Sequence, residues 1–129
     1  MTHEEMSAEQ FRAWQEGQAR RGRNKYGAIP VVIDGHRFDS TAEGRRYEQL
    51  KLLLDAGEIT NLTLQPRFPL PVKGVVICEY RADFSYLDRD GTFIVEDVKG
   101  GAATKTQVYK IKKRLMAVCH GIDITEVEM

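Results

Sequence analysis

The sequence predicts an α/β fold. Three observations carry the prediction. A capped helical stripe runs over residues 40–57, two strand-like runs flank the turn Asp88-Arg89-Asp90-Gly91, and a second helical stripe precedes a short apolar strand at the C-terminus. From residue 40 onward the expected order is helix, three strands, helix, strand, with a mixed central sheet flanked by helices.

Taken along the chain, residues 4–20 read as a polar helix anchored by Phe11 and Trp14, and residues 20–27 as a basic, glycine-containing arm. Asp34-Gly35 sits between Ile29–Ile33 and His36–Phe38, a hairpin signal. Ser40-Thr41-Ala42-Glu43 has the spacing of a capping box, Tyr47, Leu50 and Leu54 continue the stripe, and Gly57 stops it. At the helical period Glu43 lies within about 40° of those three apolar residues, whereas Glu48 faces solvent. Ile59–Leu64 read as a strand that Phe68–Leu70 continue beyond Pro66. Val75–Leu87 and Thr92–Lys99 read as a hairpin around Gly91. Thr104 is placed to open the second helix, with the stripe Val108, Ile111, Leu115 and Val118 and a stop at Gly121. Ile122, Ile124 and Val127 suggest the last strand.

The chain of 129 residues is 42% hydrophobic and 29% charged, which suits one soluble domain rather than a membrane or low-complexity protein. No apolar run approaches the ~20 residues of a membrane span. Met1-Thr2-His3-Glu4-Glu5 is unlike a signal peptide, so a cytoplasmic location is expected. Cys78 and Cys119 lack motif spacing and read as reduced, buried thiols; with two Cys and three His, a four-ligand zinc site is not expected. The formal net charge is zero but unevenly spread. Arg20, Arg21, Arg23 and Lys25 form one basic stretch, and Lys105, Lys110, Lys112, Lys113 and Arg114 another with no acid among residues 104–122. The segment from Asp83 to Asp97 holds five acids. Basic flanks about an acidic centre suit a polyanion whose scissile phosphate reaches a metal; a solvated helix face and a polar turn is the plainer reading.

The chemistry-bearing pattern is Asp83, inside the run Tyr80-Arg81-Ala82-Asp83-Phe84, and Asp97 with Lys99, inside Ile94-Val95-Glu96-Asp97-Val98-Lys99-Gly100. A hairpin brings Asp83 near Asp97, and strand alternation turns Asp97 and Lys99 to one face. Two acids and a base on one spot suit a divalent metal and an activated water. Asp97 and Lys99 also read as members of ordinary cross-strand ion pairs, and Glu43 reads as a cap or as a further ligand. Glu96 beside Asp97 leaves the register ambiguous; Asp97 is chosen because only it has lysine two places on. Gln65 either stands beside the site or simply ends a strand. Lys105 and Tyr109 share a helix face that either meets phosphate or is merely solvated.

Together with Asn24-Lys25-Tyr26-Gly27-Ala28, Phe38-Asp39-Ser40 and Gln65-Pro66, these motifs resemble the PD-(D/E)XK nuclease superfamily, and more narrowly a small phage-associated group within it. The resemblance spans residues 24–100, and Ala82 stands where the superfamily name has proline. It implies a restriction-endonuclease-like core over residues 24–129, preceded by an N-terminal helix and basic arm over residues 1–23. It implies a Mg²⁺-dependent DNA endonuclease, with Mn²⁺ able to substitute, and catalytic residues Glu43, Asp83, Asp97 and Lys99. The metal set is Asp83, Asp97, Val98 and Glu43, with Gln65 and Glu96 adjacent. Arg21, Arg23, Lys25, Lys105, Tyr109 and Lys112 are the expected DNA contacts. By analogy with small superfamily members, the expected substrate is branched DNA such as a Holliday junction, cut by a homodimer in phage recombination, replication or repair, in the host cytoplasm if phage-encoded. A nicking or single-strand-specific nuclease, and a non-catalytic DNA-binding module, are the alternatives.

Overall fold

A computed structural model of the chain describes residues 29–100 and 105–129. The expected N-terminal helix with Phe11 and Trp14, the basic residues Arg21, Arg23 and Lys25, and Thr104 lie outside the described residues. The chain divides into two units at Thr41.

In the first unit, β1 (Val31–Ile33) and β2 (His36–Phe38) form an antiparallel hairpin. Asp34 and Gly35 both take positive φ, 54° and 78°, as the two-residue turn that matches strand twist requires. Phe38 at its end is buried.

The second unit opens with α1 (Thr41–Asp55), which carries Glu43 in its first turn and ends in Gly57 at φ 76°. The amides of Gly57 and Glu58 close back onto Leu54 and Leu53 at 3.1 and 2.9 Å, so the last turn is capped by its own main chain. Glu43, Gly44, Tyr47 and Leu50 are its buried residues. Leu54, expected on the same stripe, is exposed, because it lies in the last turn beyond the part of the helix that is covered.

Five strands, not three, separate the two helices: β3 (Thr60–Leu64), β4 (Arg67–Val72), β5 (Val75–Arg81), β6 (Phe84–Leu87) and β7 (Phe93–Lys99). Two expectations change. Residues 67–72 do not extend β3, since Gln65 turns the chain at φ 50° and Pro66 follows. They pair instead with β5 across a tight turn at Lys73 (φ 52°) and Gly74 (φ 79°), giving a separate two-stranded sheet. The run 75–87 is also not one strand. It breaks at Ala82-Asp83: residues before the break pair with β4, and those after it pair with β3 and β7. The β6–β7 turn closes as expected, with Asp88 Oδ1 accepting the amides of Asp90 and Thr92 at 2.9 Å each and Gly91 at φ 81°.

The helix α2 (Gln107–His120) then leads to β8 (Thr125–Glu128), which lies parallel to β7. The result is a mixed four-stranded sheet of order β3-β6-β7-β8. Thr106 caps α2 through its Oγ1 on the Tyr109 amide at 3.1 Å, and Gly121 ends it at φ 66°. The stripe expected on α2 holds only at Leu115. Tyr109 and Met116 are buried and Leu115 is partly so, whereas Val108, Ile111 and Val118 are exposed. The core gathers Leu70, Tyr80, Ala82, Val95, Tyr109, Met116 and Ile124, so one face of the sheet, the β4–β5 ribbon and α2 close on one another. Each of Leu70, Val95, Met116 and Ile124 contributes roughly 1.5–3 kcal/mol by its burial. Cys78 and Cys119 are free and half-buried rather than fully buried. Among the described residues no helix is long and apolar enough to cross a membrane.

Candidate functional site

The break between β5 and β6 builds the site. Asp83 stands at that break, where its amide reaches the Glu96 carbonyl at 3.1 Å and its carbonyl accepts the Gln65 amide at 2.9 Å. Its main chain is thus held on both sides, and its side chain is left to turn toward β7. Asp83 Oδ2 accepts the amide of Val98 at 2.7 Å. The carboxyl therefore lies against the peptide that links Asp97 to Val98.

On β7 the alternation separates Glu96 from Asp97. Glu96 is buried on the face it shares with its partner Phe84, while Asp97 and Lys99 share the other face. The Lys99 ammonium stands 2.9 Å from Asp97 Oδ1, and the Tyr80 hydroxyl donates to Asp97 Oδ2. Lys99 is also 3.4 Å from the centroid of the Tyr109 ring, so its charge is held between a carboxylate and an aromatic face. Lys99 and Asp97 are both buried, at 4% and 9% exposure, and neither is a rim charge shared with water. Tyr109 in turn donates to Glu126 Oε2 at 2.7 Å, on the residue of β8 registered with Asp97.

Glu43 arrives from α1. It is 5% exposed and stands beside Asp83, and its Oε1 atom is buried without a hydrogen-bond partner. The Asp83 carboxyl accordingly has its pKa well above the ordinary carboxylate range. Desolvation is the largest cause, followed by the Glu43 hydrogen bond and charge and by the charge of Asp97; the Val98 amide opposes them. Asp83 is half-buried, and the loss of solvent around its carboxyl is the main reason that it holds its proton. Burial likewise pushes the hydroxyls of Tyr80 and Tyr109 up, so both remain donors at any ordinary pH.

The structure therefore brings Glu43, Asp83, Asp97 and Lys99 into one cluster, with the Val98 main chain against Asp83. Among the described residues, no three His, Cys, Asp or Glu side chains are disposed as a ready metal site. Asp97 is engaged by Lys99 and Tyr80, and Asp83 by the Val98 amide. The donor chemistry still fits a divalent cation. Asp97 pairs with Lys99, and Asp83 stands beside Glu43 and Asp97, a gathering of carboxyls whose repulsion a metal would relieve.

The other expected residues fall differently. Glu96 is not a neighbour of the acidic cluster by its side chain: Arg46 grips it through Nε at 2.8 Å and Nη2 at 2.6 Å, and the Tyr86 hydroxyl donates to Glu96 Oε2. Burial and Glu96 push Tyr86 up to about 12. Gln65 is half-buried and meets Asp83 through the main chain. Tyr109 is a buried wall beneath Lys99 rather than a surface phosphate contact. Lys105 precedes α2 and pairs with Glu126 and Glu128 at 3.5 and 3.2 Å, so its charge is largely answered within the chain. Lys112 is half-buried on α2.

Sequence reasoning missed Tyr80, Tyr109 as a wall, and Arg46. Tyr80 and Asp83 bracket the strand break and reach the same partner strand. Arg46 follows Glu43 by three positions, the spacing that puts both on one helix face. No curated protein matches the chain. Residues 23–121 match the family described as Protein of unknown function (DUF1064), a span that includes Glu43, Asp83, Asp97, Lys99 and the tyrosines around them, and the chain belongs to that family.

Proposed function

We propose that the protein is a metal-dependent DNA endonuclease, with Glu43, Asp83 and Asp97 holding the cation and Lys99 acting on the phosphate. One observation carries the reading: Asp83 is set beside two other buried carboxyls, Glu43 and Asp97, with Asp97 paired to the buried Lys99 ammonium, and desolvation together with those two neighbours raises the proton affinity of Asp83. A cluster of this kind is costly unless a cation or proton joins it, and costly charge in a defined place is a mark of function more often than of stability. The resemblance of Asp83, Asp97-Val98-Lys99 and Glu43 to the motif of PD-(D/E)XK nucleases supports the same reading.

Mg²⁺ or Mn²⁺, when bound, would lower the pKa of a coordinated water and neutralise charge building on the scissile phosphate. Asp83 and Asp97 would supply carboxylate oxygens, Glu43 a third through its Oε1 side, and Val98 its main-chain carbonyl. Asp83 would surrender its proton on loading. Lys99, paired with Asp97 and cradled on Tyr109, would steady the negative charge on the phosphate or orient the attacking water. Tyr80 would hold Asp97 against rotation.

Nothing among the described residues resembles a base-reading module, so recognition would rest on phosphates and DNA shape. Branched DNA cut by a two-fold dimer is the substrate class we favour. The exposed bases of α2, Lys110 and Arg114, are the described candidates for phosphate contact, in addition to Arg21, Arg23 and Lys25. The test is cleavage of linear, nicked, single-stranded and four-way DNA of equal length, with Mg²⁺ and with chelator. Metal-dependent cleavage that is fastest on the four-way substrate supports the whole reading. Equal cleavage of linear duplex removes the branched preference and leaves the chemistry. No cleavage of any substrate refutes the reading.

A further inference from the structure

We propose that Arg46 is a positioning residue: its two-pronged grip on Glu96 sets α1 against β7 in the one register that lays Glu43 on Asp83. The inference rests on the reading of Glu43, Asp83 and Asp97 as a metal centre, but its geometry stands apart from that reading. Arg46 and Glu43 are three residues apart on α1. The first reaches the side chain of Glu96, through Nε at 2.8 Å and Nη2 at 2.6 Å, and the second reaches Asp83. Asp83 is itself tied to Glu96, because its amide donates to the Glu96 carbonyl at 3.1 Å. Glu96 is thus held by the helix through its side chain and by Asp83 through its main chain. A slip of α1 along β7 would break both prongs and carry Glu43 away from Asp83 together.

The chemistry of the pair argues for positioning over stability. Glu96 is 1% exposed, and Arg46 keeps 19% of its side chain accessible. Desolvating such a pair offsets most of its attraction, so apolar residues of similar size would hold helix to sheet about as well. What apolar residues lack is direction. The planar guanidinium meets a carboxylate in one orientation, and the Tyr86 hydroxyl on Glu96 Oε2 removes the remaining freedom of that carboxylate. Arg46 also donates from Nη1 to Gln49 Oε1 at 3.0 Å, one turn along α1, which keeps the guanidinium aimed at the sheet.

The test replaces the whole polar cluster by apolar residues, as Arg46→Met/Tyr86→Phe/Glu96→Met, and separately makes Arg46→Lys, which keeps the charge and loses the fork. Thermal unfolding, Mn²⁺ affinity by calorimetry and a crystal structure of each variant are the readouts. The triple variant should fold with Tm close to wild type, bind Mn²⁺ at least tenfold more weakly, and show the Glu43 carboxyl withdrawn from Asp83. Arg46→Lys should lose a smaller part of the affinity. Unchanged Mn²⁺ affinity with Glu43 still on Asp83, in either folded variant, overturns the proposal. If the triple variant does not fold, Arg46→Lys decides by the same criteria. If wild-type protein binds no Mn²⁺, the metal reading falls, and the Glu43–Asp83 contact in the variant crystals decides the positioning claim alone.

Discussion

Asp83 accepts the Val98 amide at 2.7 Å, so the carboxyl just before β6 caps the peptide that leads from Asp97 toward Lys99. This bond carries the acid of one strand to the acid and base of the next. Burial first, and then Glu43 and Asp97, make the Asp83 proton hard to remove, while the Val98 amide works against them.

Asp83→Asn should therefore separate stability from function. The amide keeps an oxygen for Val98 and loses the like-charge repulsion. The metal-free variant should be more stable than wild type near neutral pH, by on the order of 1 kcal/mol or roughly 4 °C in Tm. It should not cut DNA. Thermal unfolding at pH 7.5 in chelator checks the first part, and a lower Tm there would mean that the Asp83 charge is stabilising.

The pH dependence follows from the same group. Its folded pKa is raised, so the native state holds a proton that the unfolded chain has released. The metal-free protein should gain from Asp83 below the ordinary carboxylate range and lose that contribution as pH rises from there toward the raised value. A divalent cation, competing with the proton, should restore stability, and more so at higher pH. Denaturant curves from pH 4 to pH 8 with and without Mn²⁺ measure both slopes. A Mn²⁺ effect that shrinks as pH rises would contradict the assignment.

Lys99→Ala should lower the turnover number by ~10²–10⁴ if Lys99 acts on the phosphate or its water. Metal affinity should be largely retained, because Tyr80 still holds Asp97. Single-turnover cleavage together with Mn²⁺ calorimetry separates the two effects; equal losses in both would make Lys99 a structural counter-ion only.

On α2 the buried face and the surface face are testable by stability and by salt. Met116→Ala should cost ~2–5 kcal/mol, and Val118→Ser should stay within ~0.5 kcal/mol, since the first is enclosed and the second exposed. With cleavage blocked and Ca²⁺ present, Lys110→Ala and Arg114→Ala should each reduce the salt slope of DNA binding by about one. Lys105→Ala should change it little, because Glu126 and Glu128 already answer that charge.

These two sets of residues show how far the sequence could be read. Turns governed by local chemistry were legible: Asp34-Gly35, and Asp88 with Gly91, place their own hydrogen bonds and positive φ. So was the co-facing of Asp97 and Lys99, which follows from strand alternation alone. The β4–β5 turn was not, because Lys73 adopts a left-handed φ that its side chain does not advertise, and because 75–87 reads as one apolar run. The break at Ala82-Asp83 is decided by non-local partners, namely Gln65, Pro66 and Glu96. On α2, hydrophobicity favoured Val108, Ile111 and Val118. The fold instead buries Tyr109, whose ring faces Lys99 and whose hydroxyl finds Glu126, and lets the stems of Lys112 and Lys113 cover part of the same face.

The most direct measurement is a calorimetric titration of the metal-free protein with Mn²⁺ at pH 7.5, run in two buffers of different ionisation heat. The account predicts saturable binding with release of protons as Asp83 gives way to the cation, and loss of that binding in Asp83→Asn and Asp97→Asn with both variants folded. Absence of Mn²⁺ binding by folded wild-type protein, or binding unchanged in both variants, would contradict it.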